Sequence, residues 1–283
     1  MIKWGMSDFD IQSFEDSAKE NGLRYWDALQ FMASLGYENW PSFQKVVNKA
    51  IASCAQLGVN IGDVFIPVTV VDGAKVINTY KLTRFACFLV SMHADSKKPQ
   101  VSKAKIALAA LADALIQEKI DEGSLERIEI RDELKGGETI MSGVAKSAGL
   151  EPSQYGIFKD AGIRGMYNMS LRELISYKHA PGDKTLYDYM GKTELAANLF
   201  RVTQTAERIK NQGARGIMQI SSTAKRVGEE VRSVMVSSGG VAPENLELEE
   251  DISSVKKRIK SAHKEFRKLD GPSKKPKKLQ DKS

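Results

Sequence analysis

The sequence has few of the residues that build covalent or metal-dependent sites. Only two of its 283 residues are cysteine and three are histidine. Cys54 and Cys87 each lie in an apolar helical pattern, which indicates buried free thiols in a reducing compartment. The longest uncharged apolar run, residues 85–94, is ten residues long, well short of the roughly 20 that cross a bilayer. Charge from Lys3 onward does not fit a secretory signal.

Residues for catalysis are scattered as well. His93, His179 and His263 fall in distant segments, and none has a second histidine or a cysteine at the spacing of metal ligands. No glycine-rich phosphate loop of the form GxxxxGKS occurs. The triplet Glu133-Leu134-Lys135 is of the kind found in restriction-type nuclease cores, but its context is helical and favours a solvated helix face. The sequence therefore predicts a non-enzymatic protein with no metal site and no cofactor.

Positive charge is concentrated near the C-terminus. Residues 256–283 carry 12 lysines and arginines against three acids, a net charge of +9, whereas the other 255 residues carry a net charge of −3. Basic segments of this kind are attracted to phosphate backbones whatever the base sequence. A tail that only raises solubility is the alternative interpretation.

The N-terminal part of the chain predicts an α+β domain. Apolar spacing and capping residues predict four helices, over residues 25–35, over residues 42–57 with Ser42 as the cap, and from Thr83 and Ser102 onward. Two stretches rich in β-branched residues flank the turn signal Asp72-Gly73, and they predict a hairpin over residues 64–71 and 75–80. Helix, turn, helix and hairpin is the order of a winged helix-turn-helix unit.

From about residue 125 onward the pattern is helical, with almost no strand signal. Four glycine positions predict breaks between short helices as far as residue 189: Gly136-Gly137, Gly149, Gly162 and Pro181-Gly182. Three longer amphipathic helices follow, over residues 190–210, 217–234 and 252–269. Their apolar stripes are too short for a free coiled coil and predict seams of an antiparallel bundle, within one chain or shared between two protomers.

Several segments resemble, in the same order, those of the DNA-damage-inducible protein D family. They are IRDELK at 130–135, GIFKDAGIRGMYN at 156–168, MGKTELAANLFRVTQTAERIK at 190–210, and VGEEVR at 227–232 with GG and PENL at 239–246. The resemblance runs over residues 23–248 and implies a bacterial DNA-damage (SOS) setting. LGYENWPSFQKVVNKAIASC at 35–54 with KLTRFACFLVSMHADSKKP at 81–99 resembles the N-terminal domain of the BRO family and of phage antirepressors, which implies nucleic-acid binding.

The expected fold is an α+β N-terminal domain, with a BRO-like helix-turn-helix plus β-hairpin, followed by a mainly α-helical C-terminal bundle and a disordered basic tail. The expected boundaries are 1–121 for the BRO-like domain, 122–248 for the helical domain, 249–270 for a basic amphipathic helix and 271–283 for the tail.

Basic and amide side chains are the candidates for DNA contact. On the helix over 42–57, Lys45 and Lys49 could neutralise phosphates, while Gln44 and Asn48 could pair with an adenine edge; an ordinary solvated face is the alternative. The remaining candidates are Lys97, Lys98, Lys103 and Lys105; Arg201, Arg208, Lys210, Arg215, Lys225, Arg226 and Arg232; and Lys256, Lys257, Arg258 and Lys260. If those of the bundle converge, they form a groove suited to DNA.

A second polar stripe predicts a docking surface for a partner. Asn198, Arg201, Thr205 and Arg208 line up beside the apolar stripe of the helix over 190–210. Three functions stay open at this point: a DNA-binding, non-enzymatic protein acting on DNA or recombination intermediates; an adaptor that docks on the recombinase filament on single-stranded DNA; and a metal-dependent nuclease or defence effector. We expect the first, with single- or double-stranded DNA as partner, no membrane, homo-oligomers through the C-terminal helices, and a cytoplasmic, nucleoid-associated location.

Overall fold

The computed structural model describes residues 9–72, 75–116, 122–237 and 240–271. They are mostly helical, with one four-stranded antiparallel sheet, and they belong to two compact units. Unit 1 combines Met1–Glu122 with Lys256–Ser283, and unit 2 is Gly123–Val255. The sequence predicts a separate terminal helix over 249–270, but from Lys256 onward this helix belongs to unit 1. Residues 272–283 of the predicted disordered tail lie outside the described residues.

Unit 1 contains the four-stranded sheet, five whole helices and the larger part of another. The helices are α1 (Ile11–Asp16), α2 (Ala28–Ser34), α3 (Trp40–Gln56), α4 (Arg84–His93), α5 (Pro99–Ile116) and the larger part of α11 (Ile252–Asp270). The strands are β1 (Lys19–Glu20), β2 (Arg24–Asp27), β3 (Phe65–Asp72) and β4 (Lys75–Leu82), in the order β1-β2-β4-β3. A short 3-10 helix covers Ile61–Asp63.

The predicted hairpin is confirmed. Strands β3 and β4 pair antiparallel from Phe65 opposite Leu82 to Asp72 opposite Lys75. The predicted turn falls on residues that include 73–74, which lie outside the described residues. The order α2, α3, β3, β4 is the predicted one, whereas a BRO-like helix-turn-helix fold stays a prediction.

The predicted helix over residues 25–35 is wrong in its first turn. Trp26 lies on strand β2 opposite Leu82 of β4, and its indole Nε1 donates a hydrogen bond of 2.7 Å to the Phe14 carbonyl. The ring of Phe14 stacks on that indole with a centroid distance of 4.4 Å. The side chain that seemed to face inward from a helix therefore faces inward from a strand.

Capping side chains set where two central helices of unit 1 begin. The Thr83 hydroxyl accepts the Ala86 N–H at 3.3 Å, which confirms it as the cap of α4. Helix α3 begins earlier than predicted, because the cap is Asn39, whose side chain accepts the Ser42 N–H at 3.0 Å. Both cysteines are buried, as predicted, and burial raises the pKa of the Cys54 thiol to about 11.

Unit 2 is built from helices packed side by side. They are α6 (Glu122–Ser147, from Gly123 onward), α7 (Tyr155–Tyr167), α8 (Leu171–Tyr177), α9 (Lys192–Gln212) and α10 (Gly216–Ser237), with 3-10 turns at Pro152–Gln154, Leu186–Tyr189 and Pro243–Asn245. Helices α9 and α10 confirm the first two of the three long helices predicted. The strand content of its described residues is one isolated bridge between Met190 and Leu248.

The breaks predicted at Gly136-Gly137 and at Gly162 are wrong, because these glycines lie inside helices, whereas Gly149 and Pro181-Gly182 do lie between helices. Helix α6 runs through Gly136 and Gly137; a Cβ on Gly137 would make an ordinary contact, 3.4 Å from a methyl of Val202. Gly162 and Gly165 face Gly228 across the α7–α10 contact, where a Cβ on any of the three would collide with a neighbouring atom. These glycines let helix backbones approach closely.

No helix within the described ranges combines the length and the apolar content needed to cross a membrane.

Candidate nucleic-acid interface

From Lys256 onward, helix α11 packs against the rest of unit 1 through one apolar face. Ile259, Ala262 and Phe266 on this face are fully buried. The Phe266 ring lies 5.9 Å from the ring of Phe88 and 6.4 Å from that of Phe85, both on α4. The contact fixes which side of α11 faces the interior of the unit, and thereby which side faces solvent.

A buried ion pair holds the end of α11. The Arg84 Nε donates to Oδ1 of Asp270 at 3.0 Å, and the Arg84 backbone N–H donates to Oδ2 at 2.9 Å. The same guanidinium pairs with Glu15, with Nη2 to Oε2 at 3.0 Å. Burial raises the pKa of Asp270, and the charge of Arg84 opposes that rise.

The outer face of α11 carries a row of cations, which we call the basic stripe: Lys257, Lys260, Lys264 and Arg267. Their spacing of 3, 4 and 3 residues places them on one side of the helix, and all four side chains are exposed. In the described part of the chain none of them forms an ion pair. Two of the four, Lys257 and Lys260, were predicted as DNA contacts; the other predicted cations of this helix, Lys256 and Arg258, are half-buried.

Helix α3 presents the predicted polar face. Lys45, Asn48 and Lys49 are exposed and Gln44 is half-buried, opposite an apolar face that includes the fully buried Phe43. Their geometry is therefore compatible with contact to DNA, and the contact itself stays a prediction.

The four lysines that follow helix α4 do not form one exposed row. Lys97 and Lys103 are exposed. Lys98 donates to the Gly36 carbonyl at 2.9 Å and lies over the Tyr37 ring. Lys105 is only 7% exposed, and its Nζ lies 2.5 Å from the Ser96 hydroxyl, so its predicted phosphate contact is wrong for this fold.

The cations of the helical bundle do not gather into the predicted groove. Most of them bind a nearby side chain of unit 2. Four form ion pairs: Arg208 with Glu230 at 2.6 Å, Arg232 with Glu244 at 2.7 Å, and Lys210 with Glu207 and Lys225 with Glu229 at 3.6 Å each. Arg226 donates a hydrogen bond to Gln212 at 2.9 Å. The hydrogen bond from Arg208 lowers the pKa of Glu230.

Two of the bundle cations meet at a common cavity. Lys210 and Arg215 line a groove of about 520 Å³ beside α6 and α9, and Arg215 also donates to the Ser147 carbonyl at 3.2 Å. One pair of cations does not make the continuous basic groove that the sequence pattern predicts.

The predicted docking stripe on α9 is wrong for three of its four residues. Asn198 and Thr205 are fully buried and Arg201 is 2% exposed, which leaves only Arg208 partly accessible. Asn198 donates to the Tyr167 hydroxyl at 2.7 Å and accepts from Arg201 at 3.0 Å. The stripe is polar because it forms hydrogen bonds inside unit 2.

This interior network extends to residues that sequence reasoning missed. The Tyr167 hydroxyl donates to Glu194 at 2.9 Å, and Lys178 pairs with the same carboxylate at 3.1 Å. Burial raises the pKa of Glu194, while Lys178 opposes the rise. Burial also holds the pKa of Tyr167 well above its usual value. A glutamate one helical turn before a polar stripe is too common a pattern to have revealed this.

No group of three or more His, Cys, Asp or Glu side chains that could hold a metal ion occurs among the described residues.

Two comparisons with known proteins place the chain in a family. The family profile described as "DinD C-terminal domain" matches residues 120–255, nearly the range of unit 2. DNA damage-inducible protein D of Escherichia coli (strain K12) is 32% identical over 243 residues, which are 80% of this chain and 87% of that protein. The chain belongs to the DNA-damage-inducible protein D family.

The segments that carry the family resemblance supply the interior of unit 2. Arg131 lies on α6, Tyr167 on α7 and Asn198 on α9, and each takes part in the buried polar contacts of the unit. Arg232 and Glu244, from two further segments, bind each other. These segments therefore contribute to the packing of the helical unit.

Proposed function

We propose that the protein binds DNA in the bacterial DNA damage response, through the basic stripe of α11, and that it acts by binding rather than by catalysis. The name of its Escherichia coli relative, DNA damage-inducible protein D, supports the damage-response setting. The observation that carries DNA binding is the stripe itself: four exposed cations on one face of a helix that Phe266 and Asp270 hold in place.

Electrostatics explains why such a stripe suits DNA. Lys257 and Arg267 are ten residues apart, about 15 Å along a helix. Duplex DNA carries one charge per about 1.7 Å of axis, so that length spans several phosphates. Neutralising them releases condensed counterions, which makes affinity fall steeply as salt rises. Binding of this type does not depend on base sequence.

The exposed face of α3 is the proposed second contact. Lys45 and Lys49 would bind phosphates, and Asn48 would reach a base edge. The helix order α2–α3 followed by the β3–β4 hairpin, together with the resemblance to BRO and antirepressor domains, supports a winged helix-turn-helix role for this part of unit 1.

Salt-dependent DNA binding tests the proposal. Fluorescence anisotropy of labelled duplex and single-stranded DNA is measured over a series of salt concentrations for the wild type and for the double variant Lys257→Gln with Lys264→Gln. We expect weaker binding, with the slope of log affinity against log salt reduced by about 2 on duplex DNA.

The matched control neutralises two exposed lysines of α6, Lys135→Gln with Lys146→Gln. It removes the same net charge from the protein and is expected to leave the slope unchanged. An equal change of slope in both double variants would mean that only net charge matters, and an unchanged slope in the α11 variant would overturn the proposal.

A further inference from the structure

Unit 2 contains a cavity of about 650 Å³ whose charged lining is mostly basic. It lies among α6, α7, α8, α9 and the 3-10 turn Leu186–Tyr189. We call it the arginine pocket and define it by Arg131, Lys159, Arg172, Tyr187 and Arg201. Arg131 and Arg201 are buried at its floor, while Lys159 and Arg172 are exposed at its rim.

The floor has a hydrogen-bond donor without an acceptor. Arg131 is 9% exposed; its Nε donates to Asp188 at 2.8 Å and its Nη2 lies 3.5 Å from the Thr185 hydroxyl. Its Nη1 is buried and has no hydrogen-bond partner among the described residues. Buried donors in folded proteins nearly always have an acceptor, and the described residues do not supply one for this nitrogen.

The second floor arginine is a buried cation without an ion pair. Arg201 donates to the Asn198 side-chain oxygen at 3.0 Å and to the Tyr187 hydroxyl at 3.1 Å. No carboxylate of the described residues pairs with it. Gly162 makes room for its Nη1, because a Cβ there would collide with that nitrogen. Burying a charge is unfavourable unless an opposite charge compensates it.

The acids of the pocket do not supply the missing charge. Glu138 lies 3.7 Å from Lys159. Asp160 binds Arg164 at 2.7 Å and accepts the Leu171 backbone N–H at 2.7 Å. Arg172, like Arg201, has no ion pair within the described ranges. Two guanidinium groups at one cavity therefore remain uncompensated by the protein.

The chemistry of the lining selects the ligand class. Guanidinium groups bind phosphate oxygens in a planar, often bidentate manner, and a pocket of this volume is of the size that holds small organic ligands. Met141, Ile163 and Ile175 add apolar wall, and the Tyr187 ring adds an aromatic face. The pocket thus combines sites for an anion and for an apolar ring system.

We propose that the arginine pocket binds the phosphate of a nucleoside monophosphate, with Arg201 and the Arg131 Nη1 holding the phosphate and Arg172 closing on it from the rim. The phosphomonoester can come from a free nucleotide or from the 5′ end of a DNA strand. The site goes beyond the proposed function, because it uses no residue of α11 or α3.

Calorimetric titration of the full chain tests the pocket. The ligands are 2′-deoxyadenosine 5′-monophosphate, inorganic phosphate and 2′-deoxyadenosine. We expect the nucleotide to bind about tenfold or more tightly than the nucleoside, because only the nucleotide brings a charge to the guanidinium groups. Equal affinity for the two, or no binding of the nucleotide, would overturn the proposal.

Variants locate the binding. Arg172→Gln changes an exposed rim residue and is expected to weaken nucleotide binding about tenfold. Arg131→Lys keeps the charge but removes the planar guanidinium group with its paired N–H donors, so it should also weaken binding. Circular dichroism checks that this variant folds. Lys146→Gln is the control and should change nothing. Unchanged nucleotide binding in Arg172→Gln would refute the assignment to this pocket.

Oligonucleotides distinguish the two sources of the phosphate. A strand end is the source if 5′-phosphorylated single strands bind more tightly than 5′-hydroxyl strands, and if Arg172→Gln abolishes the difference. A free nucleotide is the source if only the mononucleotide binding depends on Arg172. The Lys257→Gln, Lys264→Gln variant should bind the mononucleotide like the wild type, so failure of the pocket and failure of the basic stripe are separate results.

Discussion

The Nε of Arg84 lies 3.0 Å from Oδ1 of Asp270 and thereby joins the first residue of α4 to the last residue of α11. Both side chains are buried, and the Arg84 guanidinium lies 4.8 Å from the Trp26 ring centroid. The pair connects residues 186 positions apart in the chain. It anchors the helix that carries the basic stripe.

Replacing Asp270 by asparagine is expected to destabilise unit 1. The change leaves the buried Arg84 without a carboxylate on that side, and breaking a buried ion pair by removing one partner costs about 3–5 kcal/mol. Denaturant unfolding followed by circular dichroism measures the loss. Glu265→Gln in the same helix removes a carboxylate that pairs with the exposed Lys268, and it should change the free energy of unfolding by less than about 0.5 kcal/mol.

Substituting Gly165 by alanine tests the close contact of α7 with α10. A Cβ at this position would collide with the Lys225 carbonyl oxygen, so we expect a loss of about 1–3 kcal/mol or more in the free energy of unfolding. Gly143→Ala is the control, since nothing lies within 4 Å of a Cβ there. It should stabilise α6 by about 0.5–1 kcal/mol. Equal effects of the two substitutions would contradict the packing described for unit 2.

Asn198→Ala separates a core role from a docking role. The change removes one hydrogen-bond partner from Tyr167 and one from Arg201, although Tyr167 keeps its bond to Glu194 and Arg201 its bond to Tyr187. A buried polar group that loses its partner costs about 1–3 kcal/mol. Thr203→Ala, on the exposed face of the same helix, should have an effect below about 0.5 kcal/mol. If Asn198→Ala has the same free energy of unfolding as the wild type but no longer binds a protein partner, the result supports the adaptor hypothesis and contradicts the buried network around Asn198.

Acid pH should weaken the contact between Arg232 and Glu244. The hydrogen bond from Arg232 holds the pKa of Glu244 below its ordinary value of 4.5. A carboxylate with a lowered pKa in the folded state contributes stability above its unfolded pKa and loses it as pH falls through the folded value. The difference in unfolding free energy between the wild type and Glu244→Gln should therefore be largest near neutral pH and narrow below about pH 4.5.

The matched control for this pH series is Glu247→Gln, which removes an exposed carboxylate from the same loop. It should differ from the wild type by less than about 0.5 kcal/mol at every pH. A difference for Glu244→Gln that stays constant from neutral to acid pH would contradict the lowered pKa.

Helical periodicity predicted helices α9 to α11, because each has one buried face and its apolar spacing reports that burial directly. The β3–β4 hairpin was predicted from its β-branched residues and turn signal, although Val71 and Val76 near its turn are exposed. Strand β2 was missed because Trp26 owes its conformation to pairing with Leu82, 56 positions later. Gly136 and Gly137 misled because a glycine penalty of about 1 kcal/mol each is not enough to end a helix of 26 residues.

The candidate site was only partly accessible to sequence reasoning. The charge of α11 is visible in composition, and its amphipathic pattern predicts which cations face outward. Arg201 and Lys257 look alike in a sequence, yet one is buried beside Asn198 and the other is exposed. That difference depends on partners far along the chain, such as Tyr187 for Arg201, and local spacing does not reveal them.

Lysine reactivity measured with and without DNA tests the central claim most directly. The protein is acetylated at low reagent concentration in the presence and absence of saturating duplex DNA, and mass spectrometry reports the modification of each lysine. We predict that Lys257 and Lys264 lose reactivity when DNA is bound, while the exposed Lys135 and Lys146 keep theirs. DNA binding that leaves Lys257 and Lys264 as reactive as in the free protein would contradict a DNA contact on α11.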